Sequence, residues 1–519
     1  MKLRTNVLII LILLATILFF FKLGSFSLYD AAETTYGEFI KQIRLTGDWI
    51  TMHYNGWVIF DKPPLYFWLA TIATYFFGIN EFAVRFWAAL AGVLTVVATF
   101  FLGKYRYDER VGFYSAVIVM TAFQFLIQSR IAELDILLTL FMTCSFLFFW
   151  RGYQTGKVHY YWLFYASMGL ATLTKGIIGL AIPAFTIFLY LLIRKELRSI
   201  LKMQIIPGIF IFSLIALPWY ITEWCLHGEK FREFALGFLF LSRFGGVVSG
   251  HPGPWYYYFI ALLLGFAPWS HLLPFALIRI FQLRNEKPEL FSLCYVIPVF
   301  LVFSIAKTKL PSYILPLYPS FAIMVGKLWD DFLGKEQPSL RRGMTIAHLF
   351  LGIVAALIMI GFYLVGTSNY SSQYHEQLPE LLLLAGILVI GSVFSIGFYF
   401  LRKYKLSFAS VPIMVFVIAL VLTTRTLPIV EGYKGEKELG QKVSQVIKEN
   451  ELIAAYNVGN RPGVVFYNSK PVVFLENEKE LLAFLKKEKG YCFTTMPELE
   501  KIKARFRVLD QKGDLAVIY

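Results

Sequence analysis

Apolar stretches of roughly 17–25 residues, each long enough to cross a hydrocarbon core, recur about thirteen times before residue 425 of this 519-residue chain. They cover residues 6–23, 83–103, 111–128, 134–150, 158–173, 177–193, 204–222, 255–278, 289–306, 311–328, 344–366, 380–401 and 407–424. Lipid offers no hydrogen bonds, so each such run must satisfy its own backbone, and a helix does so. The pattern predicts an α-helical polytopic membrane protein, and a content of 57% hydrophobic and 16% charged residues agrees. The first run follows Lys2 and Arg4, lacks a small-residue cleavage signature near Gly24 and is followed by more apolar runs. It is read as an uncleaved first spanning helix rather than a signal peptide.

One further apolar stretch, 65–78, is short and is followed at once by Asn80, Glu81 and Arg85. If it spans, every later loop changes side. If it lies in the interface or re-enters, and the amino terminus is cytoplasmic, six loops rich in Lys and Arg fall on the cytoplasmic side. These include Lys104 to Arg110, Arg194 to Lys202 and Arg402 to Lys405, as the positive-inside rule requires. The second arrangement is adopted. It explains the net charge of +15 through topology and attraction to membrane lipids, with no nucleic-acid partner. Cys144, Cys225, Cys294 and Cys492 show no CxxC spacing and indicate neither a disulfide framework nor a metal site.

The same parity places the remaining polar segments outside: Asp30 to Lys62, Arg130 to Asp135, Lys175, Glu223 to Pro254, and Lys307 to Tyr313. They are free to converge on one external site. Residues 1–425 are read as the transmembrane domain, with external catalytic loops at 24–82 and 223–254. After residue 425 charged residues become frequent. LIAAYNV, GVVFYN and PVVFLE read as strands and EKELLAFLKKEKG as a helix, so 426–519 are expected to form a small external α/β domain.

Charged groups beside membrane-type sequence are costly and need a reason. In the first loop, Glu33 and Tyr36 fall on one face of a helix beginning near Ala31. Asp30 then either caps that helix or accepts a proton from an incoming hydroxyl. Asp61-Lys62-Pro63-Pro64 sets a cation and an acid on a rigid turn. Lys62 is either a snorkelling interface residue or the ligand of an anionic headgroup. Asp135 and Lys175 stand at outer helix ends. Lys307, Lys309 and Tyr313 break the positive-inside trend, which an anionic ligand there would explain. His251, between Gly and Pro, is a lone histidine and by itself seldom a metal ligand. Nucleotide-binding and hydrolase motifs such as GxGxxG, the P-loop, GxSxG and HExxH occur in no supporting context. ATP-driven transport and a nucleotide cofactor are therefore not expected, and broken helices in two related halves, the mark of many secondary transporters, are not evident.

The order AETTY, GDW, FDKPPLYFW, RIAELD, LTKG, HPGPWYYY, GFAPW and KLPSYILPLYP resembles the GT-C membrane glycosyltransferases. The resemblance is to the bacterial branch of the lipid A aminoarabinose transferases and the dolichyl-phosphate-mannose protein mannosyltransferase-like proteins. It covers residues 1 to about 330, the rest matching in architecture alone. It implies an inverting glycosyltransferase of the bacterial inner membrane, with a periplasmic active site. A polyprenyl-phosphate-linked sugar donor, undecaprenyl-phosphate-like, would serve lipid A or another envelope glycolipid in lipopolysaccharide biosynthesis. A protein hydroxyl acceptor is the rival within the class, and a flippase or transporter of an anionic lipid the rival outside it. The family's adjacent Asp-Glu before the tyrosine is here Asp30-Ala31-Ala32-Glu33, so Asp30 or Glu33 would be the base. Lys62 would neutralise the donor phosphate with Tyr36, Lys175 and Tyr313, with Asp135 near that cavity. Asp61 and His251 fall where that branch holds zinc.

Overall fold

The computed structural model describes residues 2–519 apart from 236–251, 335–337, 368–377, 488–489 and 503–505. A helix stands on each of the thirteen apolar runs. The first ten helices are α1 (Lys2–Phe20), α2 (Asp30–Thr46), α3 (Leu65–Phe77), α4 (Glu81–Arg106), α5 (Glu109–Met120), α6 (Phe123–Gln128), α7 (Leu134–Thr155), α8 (Val158–Lys175), α9 (Ile178–Ile193) and α10 (Ile205–His227). Later helices are named by their residues. Asn80 caps α4 and Asp108 caps α5 through their side-chain oxygens, each satisfying amide donors that a helix start leaves open.

Not every one of these apolar runs is a single unbroken helix. Among the described residues seven helices are long and apolar enough to cross a bilayer, or eight if Tyr257–Gly265 and Trp269–Gln282, bent by 116°, make one span. That bend corrects the run 255–278, and its cause is Pro268, which cannot donate to a helix ladder and disfavours helix in the residue before it. The run 111–128 breaks between α5 and α6, and the two breaks meet. The Phe123 N–H donates to the Ala267 carbonyl at 2.9 Å and the Trp269 indole N–H to the Thr121 hydroxyl at 2.9 Å. In the run 311–328 the prolines at 311 and 316 hold a 3-10 turn, Pro311–Leu317, before the regular helix Tyr318–Gly334 begins. α3, with 13 residues, is about 20 Å long, shorter than a hydrocarbon core.

α4 is the axis of the bundle, packing against α1, α3, α5 and α7. Its approach to α5 is made by glycines: a Cβ on Gly103 would stand 3.0 Å from the Gly112 Cα, so an alanine there would force the helices apart.

The C-terminal segment forms a five-stranded sheet in the order β4-β3-β5-β7-β6, from β3 (Leu452–Tyr456), β4 (Val472–Leu475), β5 (Gly490–Thr495), β6 (Val508–Lys512) and β7 (Leu515–Ile518). β3 runs parallel to β4 and β5, with Ile453 opposite Val472 and Tyr491, whereas β5 and β6 are antiparallel to β7. LIAAYNV and PVVFLE form strands as expected, and Glu478–Lys487 is helical. GVVFYN does not: Pro462 starts a helical turn at Gly463–Phe466 instead, proline being preset for a helix start.

This turn docks on α2. The Lys41 ammonium donates to the carbonyls of Val465, Phe466 and Asn468 at 3.0, 2.9 and 3.0 Å. The hairpin of β1 (His53–Tyr54) and β2 (Trp57–Val58) turns through Asn55 and Gly56, both at positive φ, as a two-residue hairpin turn requires. The Asn55 amide bonds both backbone groups of Val472 at 2.8 Å. The first polar loop and the C-terminal sheet thus lie on one side of the bundle.

Candidate functional site

Four residues singled out in the sequence, Lys62, Asp135, Lys175 and Tyr313, line one cavity of about 250 Å³. Each arrives by a local rule. Pro63 and Pro64 end the loop carrying Lys62, and α3 begins at Leu65. Asp135 sits in the first turn of α7, where the helix dipole favours an acid. Lys175 is the last residue of α8, stopped by Gly176 at φ 81°, and its cation favours that end. Tyr313 stands in the 3-10 turn after Leu310.

The polar end of the cavity holds two ammonium groups, each with a counter-ion. Lys62 Nζ is 2.5 Å from Asp61 Oδ1, and Lys175 is bonded to Asp135. Lys175 also stands 4.8 Å from the centre of the Tyr313 ring, a cation–π distance. Behind this end the walls are apolar: Ile178, Ile182 and Phe185 of α9 face Val299, Val302 and Phe303 of the helix Lys287–Ile305. A cationic polar end continuing into an apolar slot suits an anionic headgroup with a long hydrocarbon tail.

Glu33 lies elsewhere. Its carboxylate is 1% exposed, and Arg85 holds it through Nε at 2.7 Å and Nη2 at 2.8 Å. The Ala132 N–H donates to it at 2.7 Å, as does the Tyr29 N–H. Both oxygens are thereby engaged. Tyr29 is the N-cap residue and Asp30 the first residue of α2, so the capping place proposed for Asp30 belongs to its neighbour, whose amide Glu33 covers. The Asp30 side chain lies outside the described set. Tyr36 is buried, with its ring 5.3 Å from that of Phe67.

For the zinc expectation, Asp61 carries the Lys62 ammonium where a cation would bind, and His251 lies outside the described residues. Among the described residues no three His, Cys, Asp or Glu side chains gather as metal ligands.

Two other cations from the polar segments have structural partners. Arg130 donates to the carbonyls of Leu18, Phe19 and Phe21, closing the end of α1. Lys309 donates to those of Phe303, Ser304 and Ala306 at 3.2, 2.6 and 2.8 Å, closing the helix Lys287–Ile305. The exception to the positive-inside trend at Lys309 is therefore a helix C-terminus needing a cation. Lys309→Met is expected to lower stability by about 1–3 kcal/mol, as thermal unfolding would show.

Sequence reasoning missed the apolar wall, since nothing distinguishes the residues of α9 that face the slot from those facing lipid. It also missed Arg85, although an arginine inside a 26-residue apolar helix signals a buried acidic partner.

Residues 5–226 match the family model described as dolichyl-phosphate-mannose-protein mannosyltransferase. An undecaprenyl phosphate-alpha-4-amino-4-deoxy-L-arabinose arabinosyl transferase of Edwardsiella ictaluri is 31% identical over 64% of this chain and 61% of its own length. A second, from Proteus mirabilis, is 30% identical over 70% of this chain and 67% of its own. In fold, the chain is similar to the crystal structure of ArnT from Cupriavidus metallidurans bound to undecaprenyl phosphate. The TM-score is 0.82 at 20% identity, covering 99% of this chain and 98% of that one.

Proposed function

The chain belongs to the family of the undecaprenyl phosphate-alpha-4-amino-4-deoxy-L-arabinose arabinosyl transferases, and from that membership we propose that it moves a sugar from a polyprenyl-phosphate donor to lipid A or a related envelope glycolipid. The observation that carries the reading is the cavity, with Lys62, Lys175 and Tyr313 at its mouth and an apolar slot behind them. Its site is taken to be on the periplasmic face of a bacterial inner membrane, where the C-terminal α/β domain of residues 426–519 would lie beside it.

In this reading the donor phosphate sits between Lys62 and Lys175 and the prenyl chain runs along α9. Asp30 takes the proton of the acceptor hydroxyl or phosphate oxygen. That oxygen bonds to the anomeric carbon as the bond from that carbon to the donor phosphate oxygen breaks, giving inversion. The negative charge gathers on the departing polyprenyl phosphate, where two ammonium groups and the Tyr313 side chain meet it. Stabilising charge where it develops is the largest catalytic contribution available without a cofactor. Asp135, bonded to Lys175, aims its ammonium. Glu33, held by Arg85, fixes the start of α2.

The test is a transfer assay with purified protein, a polyprenyl-phosphate sugar and lipid A, read by mass spectrometry. Lipid A gaining the mass of one sugar is expected. Unchanged lipid A together with a glycosylated protein hydroxyl would move the acceptor to protein, and donor left intact with every acceptor would contradict transfer altogether.

A further inference from the structure

The two residues before Tyr29 have all four backbone hydrogen-bonding groups fixed by side chains from far along the chain. The Ser27 N–H donates to Glu431 Oε1 at 3.0 Å, and the Ser27 carbonyl accepts from Arg85 Nη2 at 2.8 Å. The Leu28 N–H donates to the Tyr467 hydroxyl at 2.7 Å, and the Leu28 carbonyl accepts from Lys434 at 3.4 Å. Buried loop backbone must find such partners. Here one is on the bundle and three come from residues 431–467.

The Tyr467 hydroxyl is used twice, since it also donates to Glu81 Oε1 at 3.1 Å, and Glu81 in turn holds Lys437 at 2.7 Å. The adjoining contact leaves no slack. A Cβ on Gly37 of α2 would lie 2.6 Å from Leu28 and 3.1 Å from Phe466. The C-terminal domain therefore grips the segment that leads into Asp30 from outside while Arg85 grips it from within.

We infer that Tyr467 is a positioning residue for the transfer reaction: its hydroxyl, bridging the Leu28 amide and Glu81, fixes the start of α2 and so the place of its first residue. This rests on the reading of Asp30 as the base. Misplacing a reacting group by about 1 Å costs on the order of a hundredfold in rate. A tail that only stabilised the fold would leave kcat of the folded protein alone.

The experiment compares full-length Tyr467→Phe, Glu81→Gln and the double variant with wild type, in the transfer assay with a polyprenyl-phosphate sugar. The phenylalanine keeps the ring and removes the bridge. Expected is a fall in kcat of roughly ten- to a hundredfold with KM for the donor unchanged. The double variant should be no worse than the poorer single one, because both break one bridge. Full kcat in folded Tyr467→Phe, or a loss confined to KM, overturns the inference. Asp30→Asn separates the two claims. If it is inactive while Tyr467→Phe is fully active, the base stands and the positioning role falls. If Asp30→Asn is fully active, the base falls, and with it the reason for placing α2.

Discussion

Lys62→Met is expected to lower kcat/KM for a polyprenyl-phosphate donor by roughly two to three orders of magnitude, in a protein that still folds. The charge at this position meets the phosphate as it becomes the leaving group, and deleting one such donor of stabilisation typically costs that much. Folding should survive because Asp61, the partner left behind, has a side chain 28% exposed and can hydrate. The bland alternative is that Lys62 exists only to neutralise Asp61. The double variant Lys62→Met, Asp61→Asn decides between them: it would recover activity if pairing were the only role, and should stay as impaired as Lys62→Met if the ammonium serves the donor.

The largest expected effect on stability comes from Arg85→Met. The guanidinium is 4% exposed and makes two bonds to Glu33 and three to the carbonyls of Leu23, Phe26 and Ser27. Its removal leaves a carboxylate uncompensated in a dry interior, a loss of about 3–5 kcal/mol, a large fraction of the stability of an ordinary domain. Thermal unfolding in detergent should show a strongly lowered midpoint or little folded protein. Replacing both partners, Glu33→Leu with Arg85→Met, should recover part of the loss, since no charge is then stranded. A single Arg85→Met variant as stable as wild type would mean that the pair contributes little.

That pair also shows where sequence reading stops. Helical spacing put Glu33 and Tyr36 on one face of α2, and resemblance offered Glu33 as an alternative base, but neither could reveal that Arg85, 52 residues on, takes both oxygens. Lys62, Asp135, Lys175 and Tyr313 were legible because a charge or hydroxyl beside an apolar run needs a reason, and charge parity had already set them on one side. The broken helices were less so. A run such as 255–278 has the composition of a span throughout, and its course depends on how one proline is accommodated by a distant neighbour, the Trp269 indole meeting Thr121, 148 residues away, at the break between α5 and α6. The turn Gly463–Phe466 reads as a strand by composition and became helical because Pro462 starts it and Lys41 closes it.

Direct binding of undecaprenyl phosphate tests the cavity most plainly, because it needs neither the sugar nor the acceptor. Titrated into detergent-solubilised wild type and Lys175→Met and followed by native mass spectrometry, the lipid should occupy one site on the wild type. Lys175→Met should bind at least about tenfold more weakly, as the loss of a charge-assisted contact implies. Equal occupancy of wild type and folded Lys175→Met would contradict the assignment of this cavity to the donor phosphate.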